Sequence, residues 1–213
     1  MRVLSSLALA AVLQRMGVEA TLLPTALLLP RLRGGEAADL AILTSDGVEA
    51  LLAEGVLVPE TRRDLALSRV GVAVPAGAAH PVIGTEAELV ELLLRVPSIG
   101  LSRAGASGLF FAGLLRRLGI EEAVMAKATV IESGYTAGLL AEGRVGLAVQ
   151  QVSELLMVPG IEVVGALPAE CGGESVFSGA VVRGAAVPDE AEALLSRIAG
   201  AGDVLRACGL APV

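Results

Sequence analysis

Short apolar runs alternate with amphipathic stretches along the whole chain. Residues 3–4, 18–22, 40–43, 69–74, 98–101, 128–131, 145–149, 161–164 and 176–182 are brief runs rich in Val, Leu and Ile. They are bounded by polar or turn residues and read as strands. Between them, apolar residues recur at helical spacing, as Leu89, Leu92 and Leu93 do on one face of a helix over 86–95. Further helices are predicted over 7–16, 25–33, 46–53, 109–118, 135–141, 189–199 and 203–207, with another opening in QQVSEL at 150–155. Strand–helix alternation of this kind predicts α/β layers with mostly parallel strands.

The strands also end in a regular way. Ser5-Ser6 comes after the first strand, Thr25 after the second and Thr44-Ser45 after the third. Ser102 and Ser107 come after the strand at 98–101, Glu132-Ser133-Gly134-Tyr135 after the strand at 128–131, and Gln150-Gln151 after the strand at 145–149. In a parallel sheet these ends share one edge, and each precedes a helix start whose free N–H groups favour negative charge. Two readings compete. Each hydroxyl could simply cap its helix, or together they could line a neutral, hydroxyl-rich pocket for an anion.

A second pattern lies inside the first. ALLAEG at 50–55 reappears as GLLAEG at 138–143, and the layout of 31–52 matches that of 138–156. Each has a helix end, a Gly/Glu turn, a strand, a polar pair and a helix. The repetition predicts two similar lobes.

Composition narrows the chemistry. With 213 residues the chain can form one large domain or two small lobes. Mean hydropathy is high at +0.73, but no uninterrupted apolar run reaches the roughly 18–20 residues of a membrane span. Aromatics are 2% with no Trp, so base or sugar stacking is not expected. The net charge of −7, with Lys127 the single lysine, argues against nucleic acid as a partner. His80 is the only histidine, and Cys171 and Cys208 lack metal-ligand spacing and read as unpaired small hydrophobes. Neither a metal site, a cofactor nor a histidine-based triad is expected. The opening MRVLSSLALAAVL resembles an export leader, but QRMG stands where a small-residue cleavage site would be needed. It reads instead as a first strand and helix.

These blocks resemble the substrate-binding proteins of molybdate-type ABC transporters, in the two-lobed periplasmic-binding family. RVLSS resembles the first strand with its ligand-contacting serine, and GGEAADLAILTSDGVEALLAEG the Gly-x-x-Ala-Asp strand–helix block. ASGLFFAGLLRRLGI resembles the helix whose start contacts the oxyanion, and GLLAEGRVGLAVQQVSEL the late block. The resemblance implies an α/β fold of two lobes, 1–74 plus 177–213 and 75–176, each a mostly parallel sheet flanked by helices, with the ligand cleft between them. It implies that a monomer captures a small anion for an ABC transporter permease, at the periplasm or cell surface. Carried over by position, Ser5 and Thr25 are hydroxyl contacts, Ser107 and Tyr135 supply main-chain N–H groups, and Gln150 stands where a tyrosine is usual. Ser6, Thr44 and Ser102 complete the candidate set. Arg103 departs from a site of neutral donors: it is either a solvent-facing charge or a cleft arginine, which suits a carboxylate better than a tetrahedral oxyanion.

Molybdate or tungstate is therefore the expected ligand class, with a small organic carboxylate as the alternative. A cytoplasmic anion sensor is a second alternative, consistent with the missing leader. An enzyme is not expected, because no Gly-x-Ser-x-Gly elbow exists and His80 is the only histidine base available.

Overall fold

Val3 and Leu4 are neighbours in β1 (Val3–Ser5), yet they enter two different hydrophobic clusters, one on each side of a sheet. The same alternation governs β3 (Leu40–Thr44), where Leu40 and Ile42 join the first cluster and Ala41 and Leu43 the second. Strands buried on both faces must be apolar throughout, which is why these runs carry no polar residue until their last position. In this computed structural model, which describes residues 1–213, the first stretch continues through α1 (Ala10–Arg15), β2 (Thr21–Leu22), α2 (Thr25–Arg33) and α3 (Ser45–Ala53).

Strand β4 (Arg63–Pro75) carries the chain from one compact unit into another. Unit one is Met1–Ser68 with Ser175–Val213, and unit two is Arg69–Glu174. The family resemblance implies these crossings slightly later, after residues 74 and 176. Unit two proceeds through α4 (Glu86–Arg95), β5 (Ile99–Ser102), α5 (Ala106–Arg117), α6 (Glu121–Met125), β6 (Ala128–Ile131), α7 (Ala137–Ala141), β7 (Leu147–Gln151), α8 (Val152–Leu155) and β8 (Ile161–Ala166). Its strand order is β8-β4-β7-β5-β6, with β5 parallel to β6 and β7 and β4 antiparallel to β7 and β8. Leu147 and Val149 face α4 and α5, while Ala148 faces α7 and α8.

The chain returns to unit one as β9 (Glu174–Val181), α9 (Pro188–Ala199) and α10 (Gly202–Ala207). The order there is β2-β1-β3-β9-β4, with β1 parallel to β2 and β3, and β9 antiparallel to β3. The fold is thus mixed α/β, with parallel pairs carrying the candidate strand ends.

The matching layouts of 31–52 and 138–156 have one structural meaning. Gly143 adopts φ 69° after α7, and the Arg144 N–H reaches back to the Leu139 carbonyl. Gly35 adopts φ 78° after α2, and the Glu36 N–H reaches back to Arg31 in the same way. A left-handed glycine closes each helix and turns the chain into the next strand, β7 or β3.

Four differences from the sequence expectations stand out. The run at 18–22 forms only the two-residue β2, and α6 lies where no helix was expected. The strand expected at 145–149 is Leu147–Gln151, so Gln150 and Gln151 lie within it rather than after it. The helix expected from 109 starts at Ala106, which puts Ser107 in its first turn.

Asp39, in the Gly-x-x-Ala-Asp block, lies at the opposite end of β3 from the hydroxyls. Its buried carboxylate accepts from Arg2 N at 2.5 Å, Ala186 N at 2.7 Å and Val187 N at 3.3 Å. These bonds hold its pKa below the usual carboxylate value, with the Arg2 N–H the largest cause. Its stabilisation is therefore present above the unfolded pKa and is lost as pH falls through the lower folded value. Asp39→Ala should cost about 2 kcal/mol or more in urea unfolding at pH 7, the penalty for leaving such donors unpaired. That gap should narrow in acid.

Candidate functional site

In unit one, Ser5 is level with Leu22 of β2 and Ile42 of β3, so the ends of β1 and β2 lie beside the middle of β3. Its fully buried hydroxyl donates to the Ser6 carbonyl at 3.0 Å. Ser6 accepts from Ala8 N at 3.4 Å, which leaves its own hydrogen free to donate. Thr25 Oγ1 accepts the Thr44 N–H at 3.0 Å and so ties the start of α2 to the end of β3. Thr44 precedes α3 but makes no capping bond with its side chain. Sequence reasoning overlooked Arg62, whose guanidinium donates to Ser45 Oγ at 3.2 Å beside this edge. Its charge is already matched by Glu49 at 2.5 Å and Asp64 at 3.0 Å.

In unit two, Ser102 ends β5, and α5 is seated almost against it. A Cβ on Gly108 would lie 1.8 Å from the Ser102 carbonyl oxygen, and one on Gly105 would lie 2.6 Å from the Ser102 Oγ. Glycine at both positions lets the first turn of α5 approach the strand end. Ser107, in that turn, is 1% exposed and Ser102 is 5% exposed, and neither hydroxyl has a hydrogen-bond partner. The capping explanation therefore holds for Ser6 and for none of Thr44, Ser102 or Ser107. Buried hydroxyls without partners are rare, because each costs free energy.

Arg103, next to Ser102, is mostly exposed and already paired. Its side chain is 69% exposed and pairs with Glu132 at 3.2 Å.

Gln150 acts as a brace. Its carboxamide oxygen accepts from Thr136 N at 2.7 Å and Thr136 Oγ1 at 3.0 Å, while its NH2 donates to the Gly134 carbonyl at 2.7 Å. It thereby fixes the loop that carries half-buried Tyr135, in which Gly134 adopts φ 101°. Sequence reasoning counted Gln151 among the polar strand ends without making it a site residue, and passed over Ser153 and Glu154. Gln151 and Ser153 are each 1% exposed, and their side-chain polar atoms have no partner. The cue lay in the residue pattern, since a strand inside an apolar unit ends in two glutamines. Burial pushes the Glu154 carboxyl up to about 8, partly offset by a hydrogen bond from Gln150. Burial, with the nearby Glu154 charge, also raises the Tyr135 hydroxyl.

Cys171 and Cys208 are free and buried, and no cluster of His, Cys, Asp and Glu is placed to hold a metal ion. No helix is long and apolar enough to cross a membrane.

Two α/β units of this topology, each with hydroxyls at the ends of parallel strands, have the architecture of periplasmic binding proteins. The chain belongs to the bacterial extracellular solute-binding protein family, whose model matches residues 14–203. The periplasmic molybdate-binding protein of Azotobacter vinelandii superposes with a TM-score of 0.82 over 99% of this chain and 98% of that one, at 16% identity. PEB3 of Campylobacter jejuni, solved with L-phospholactate bound, superposes with a TM-score of 0.69 over 99% of each chain, at 12% identity. An aconitate isomerase from Pseudomonas sp is 33% identical over 186 residues, which are 86% of this chain and 71% of that one.

Glu154 gives a pH prediction. Its folded pKa stands above the unfolded value, so the native state keeps a proton that the unfolded chain loses between about 4.5 and about 8. Stability should fall across that window as pH rises. Glu154→Gln should flatten the slope and exceed wild type at pH 8 in chemical denaturation.

Proposed function

We propose that this chain is a solute-binding protein that captures a small organic acid through neutral hydroxyl and main-chain donors and presents it to a membrane permease. The observation that carries the reading is the pair of buried, unpartnered hydroxyls of Ser102 and Ser107 at the start of α5. A helix start with free N–H groups and two such hydroxyls is arranged to donate to an anion. Arg103, which follows Ser102, already has a carboxylate partner, so the charge of the ligand is met by dipoles. Each neutral donor to a charged acceptor contributes roughly 1.5–3 kcal/mol. A few such donors, offset by desolvation, reach the roughly 8 kcal/mol of micromolar binding.

The ligand class rests on sequence distance. The relative at 33% identity carries an organic acid in its name, whereas the molybdate-binding protein is 16% identical, a distance at which fold is shared without ligand. The exposed Arg103 favours a second reading, capture of a tetrahedral oxyanion, because such a ligand needs no guanidinium. We read the site as binding without turnover. The only histidine, His80, is exposed and paired with Glu162, and neither the Ser102 nor the Ser107 hydroxyl has a base bonded to it.

Calorimetry with cis-aconitate, trans-aconitate, citrate, molybdate and tungstate should give micromolar affinity for a carboxylate and none for the metal oxyanions. Binding of molybdate or tungstate alone would establish the second reading. Proton NMR of cis-aconitate incubated with the protein should show no trans isomer, and its appearance would make the chain an enzyme. Ser107→Ala should weaken binding about tenfold, the loss of one such hydrogen bond at about 1.4 kcal/mol, with the fold intact because that hydroxyl bonds nothing within the chain.

A further inference from the structure

Gln151 is the least explained side chain in unit two. It is 1% exposed, and neither its carboxamide oxygen nor its nitrogen has a hydrogen-bond partner. Strand alternation sets its direction. Gln151 lies on the same face of β7 as Leu147 and Val149, which pack with Phe111, Leu114 and Leu115 of α5. It is level with Val70 of β4, and a Cβ on Gly173 would meet both Val70 Cβ, at 3.2 Å, and the Phe110 ring of α5, at 3.1 Å. Gln151 stands at the C-terminal end of its strand, where α5 begins. It therefore faces the first turn of that helix, which holds the unpartnered Ser107 hydroxyl and rests on Ser102.

We propose that the Gln151 carboxamide, with the Ser102 and Ser107 hydroxyls, selects a ligand that carries an O–H hydrogen beside its anionic oxygens. The hydroxyls and the amide NH2 can all donate, and anionic oxygens satisfy them. The amide oxygen can only accept. A fully deprotonated oxyanion has acceptors alone and, because neither serine hydroxyl bonds that oxygen in the structure, would leave it buried and unpaired. Turning the amide over does not help, because one of its two ends is always an acceptor. A hydroxy acid, or a carboxylic acid that retains one proton, satisfies every member of the set. This rests on the reading of the chain as an organic-acid binder and sharpens it.

The test compares wild type with Gln151→Met, which keeps the size of the side chain and removes both polar atoms. Calorimetry uses citrate, cis-aconitate, trans-aconitate and molybdate, each in two buffers of different ionisation enthalpy. We expect Gln151→Met to lose about 30-fold or more in affinity for the carboxylate that wild type binds, as expected for two hydrogen bonds. Without ligand its melting temperature should equal or exceed that of wild type, because two unpaired buried atoms are gone. Proton uptake on binding identifies a protonated carboxyl as the source of the hydrogen, and binding of citrate without uptake identifies a hydroxyl. In wild type, the Gln151 side-chain NH2 resonances should shift on ligand addition, a readout that holds even if the Met variant folds poorly. Unchanged affinity in Gln151→Met, or unmoved NH2 resonances at saturation, overturns this inference alone. Failure of wild type to bind any carboxylate overturns the organic-acid reading and this inference together.

Discussion

The close seating of α5 on the end of β5 is the constraint on which the unit-two arrangement turns. No side chain larger than glycine fits at 108, since a Cβ there would overlap the Ser102 carbonyl. That contact fixes the first turn of the helix over the strand end. It brings the free N–H groups of α5 together with the Ser102 and Ser107 hydroxyls at the end of β5, where both side chains are shielded from water. Shielding gives neutral dipoles their strength, because an N–H or O–H aimed at an anion counts for more where solvent cannot compete. The same shielding makes each unpartnered group costly in the free protein. The fold bears that cost at Ser102, Ser107, Gln151 and Ser153 together, on the elements that meet at one end of β5 and β7.

Charge is handled in the opposite way. Arg62, next to the unit-one hydroxyls, has Glu49 and Asp64 as partners, and Arg103 has Glu132. The one carboxyl buried beside the loop at 134–136, Glu154, holds its proton at neutral pH. A site built from neutral groups suits a chain with a net charge of −7, since the attraction comes from oriented dipoles rather than from the overall field.

Much of the fold was legible in the apolar pattern. The helix over 86–95 and the strand over 128–131 fall where their residues put them, and Leu40 to Leu43 announced a strand buried on both faces. The hydroxyls at strand ends were legible too, because a polar residue ending an apolar run has few reasons to be there. Periodicity could not reveal which hydroxyls were already spent. Ser5 and Ser102 look alike in sequence, but one donates to the next carbonyl and the other has no partner. That difference depends on local geometry, which periodicity does not carry. Gln150 and Gln151 were misplaced for a related reason. Treating them as the residues after a strand hid the fact that strand alternation sends them to opposite faces, one to brace a loop and the other toward α5.

The order in which the chain is made gives β9 a further significance. Unit two is one uninterrupted segment, Arg69–Glu174, whereas unit one needs Ser175–Val213 as well as its opening residues. In unit one β9 lies between β3 and β4, and α9 and α10 supply Leu194, Leu195, Ile198 and Leu205 to the same cluster as Val3 and Leu9. Until the ribosome has released those residues, β3 has an unpaired edge and that cluster lacks one wall. Unit two can close during synthesis while unit one waits, with exposed apolar surface and an open strand edge, for the last part of the chain. Such an interval favours association with other chains, so the N-terminal third of this protein is where a chaperone would be needed most.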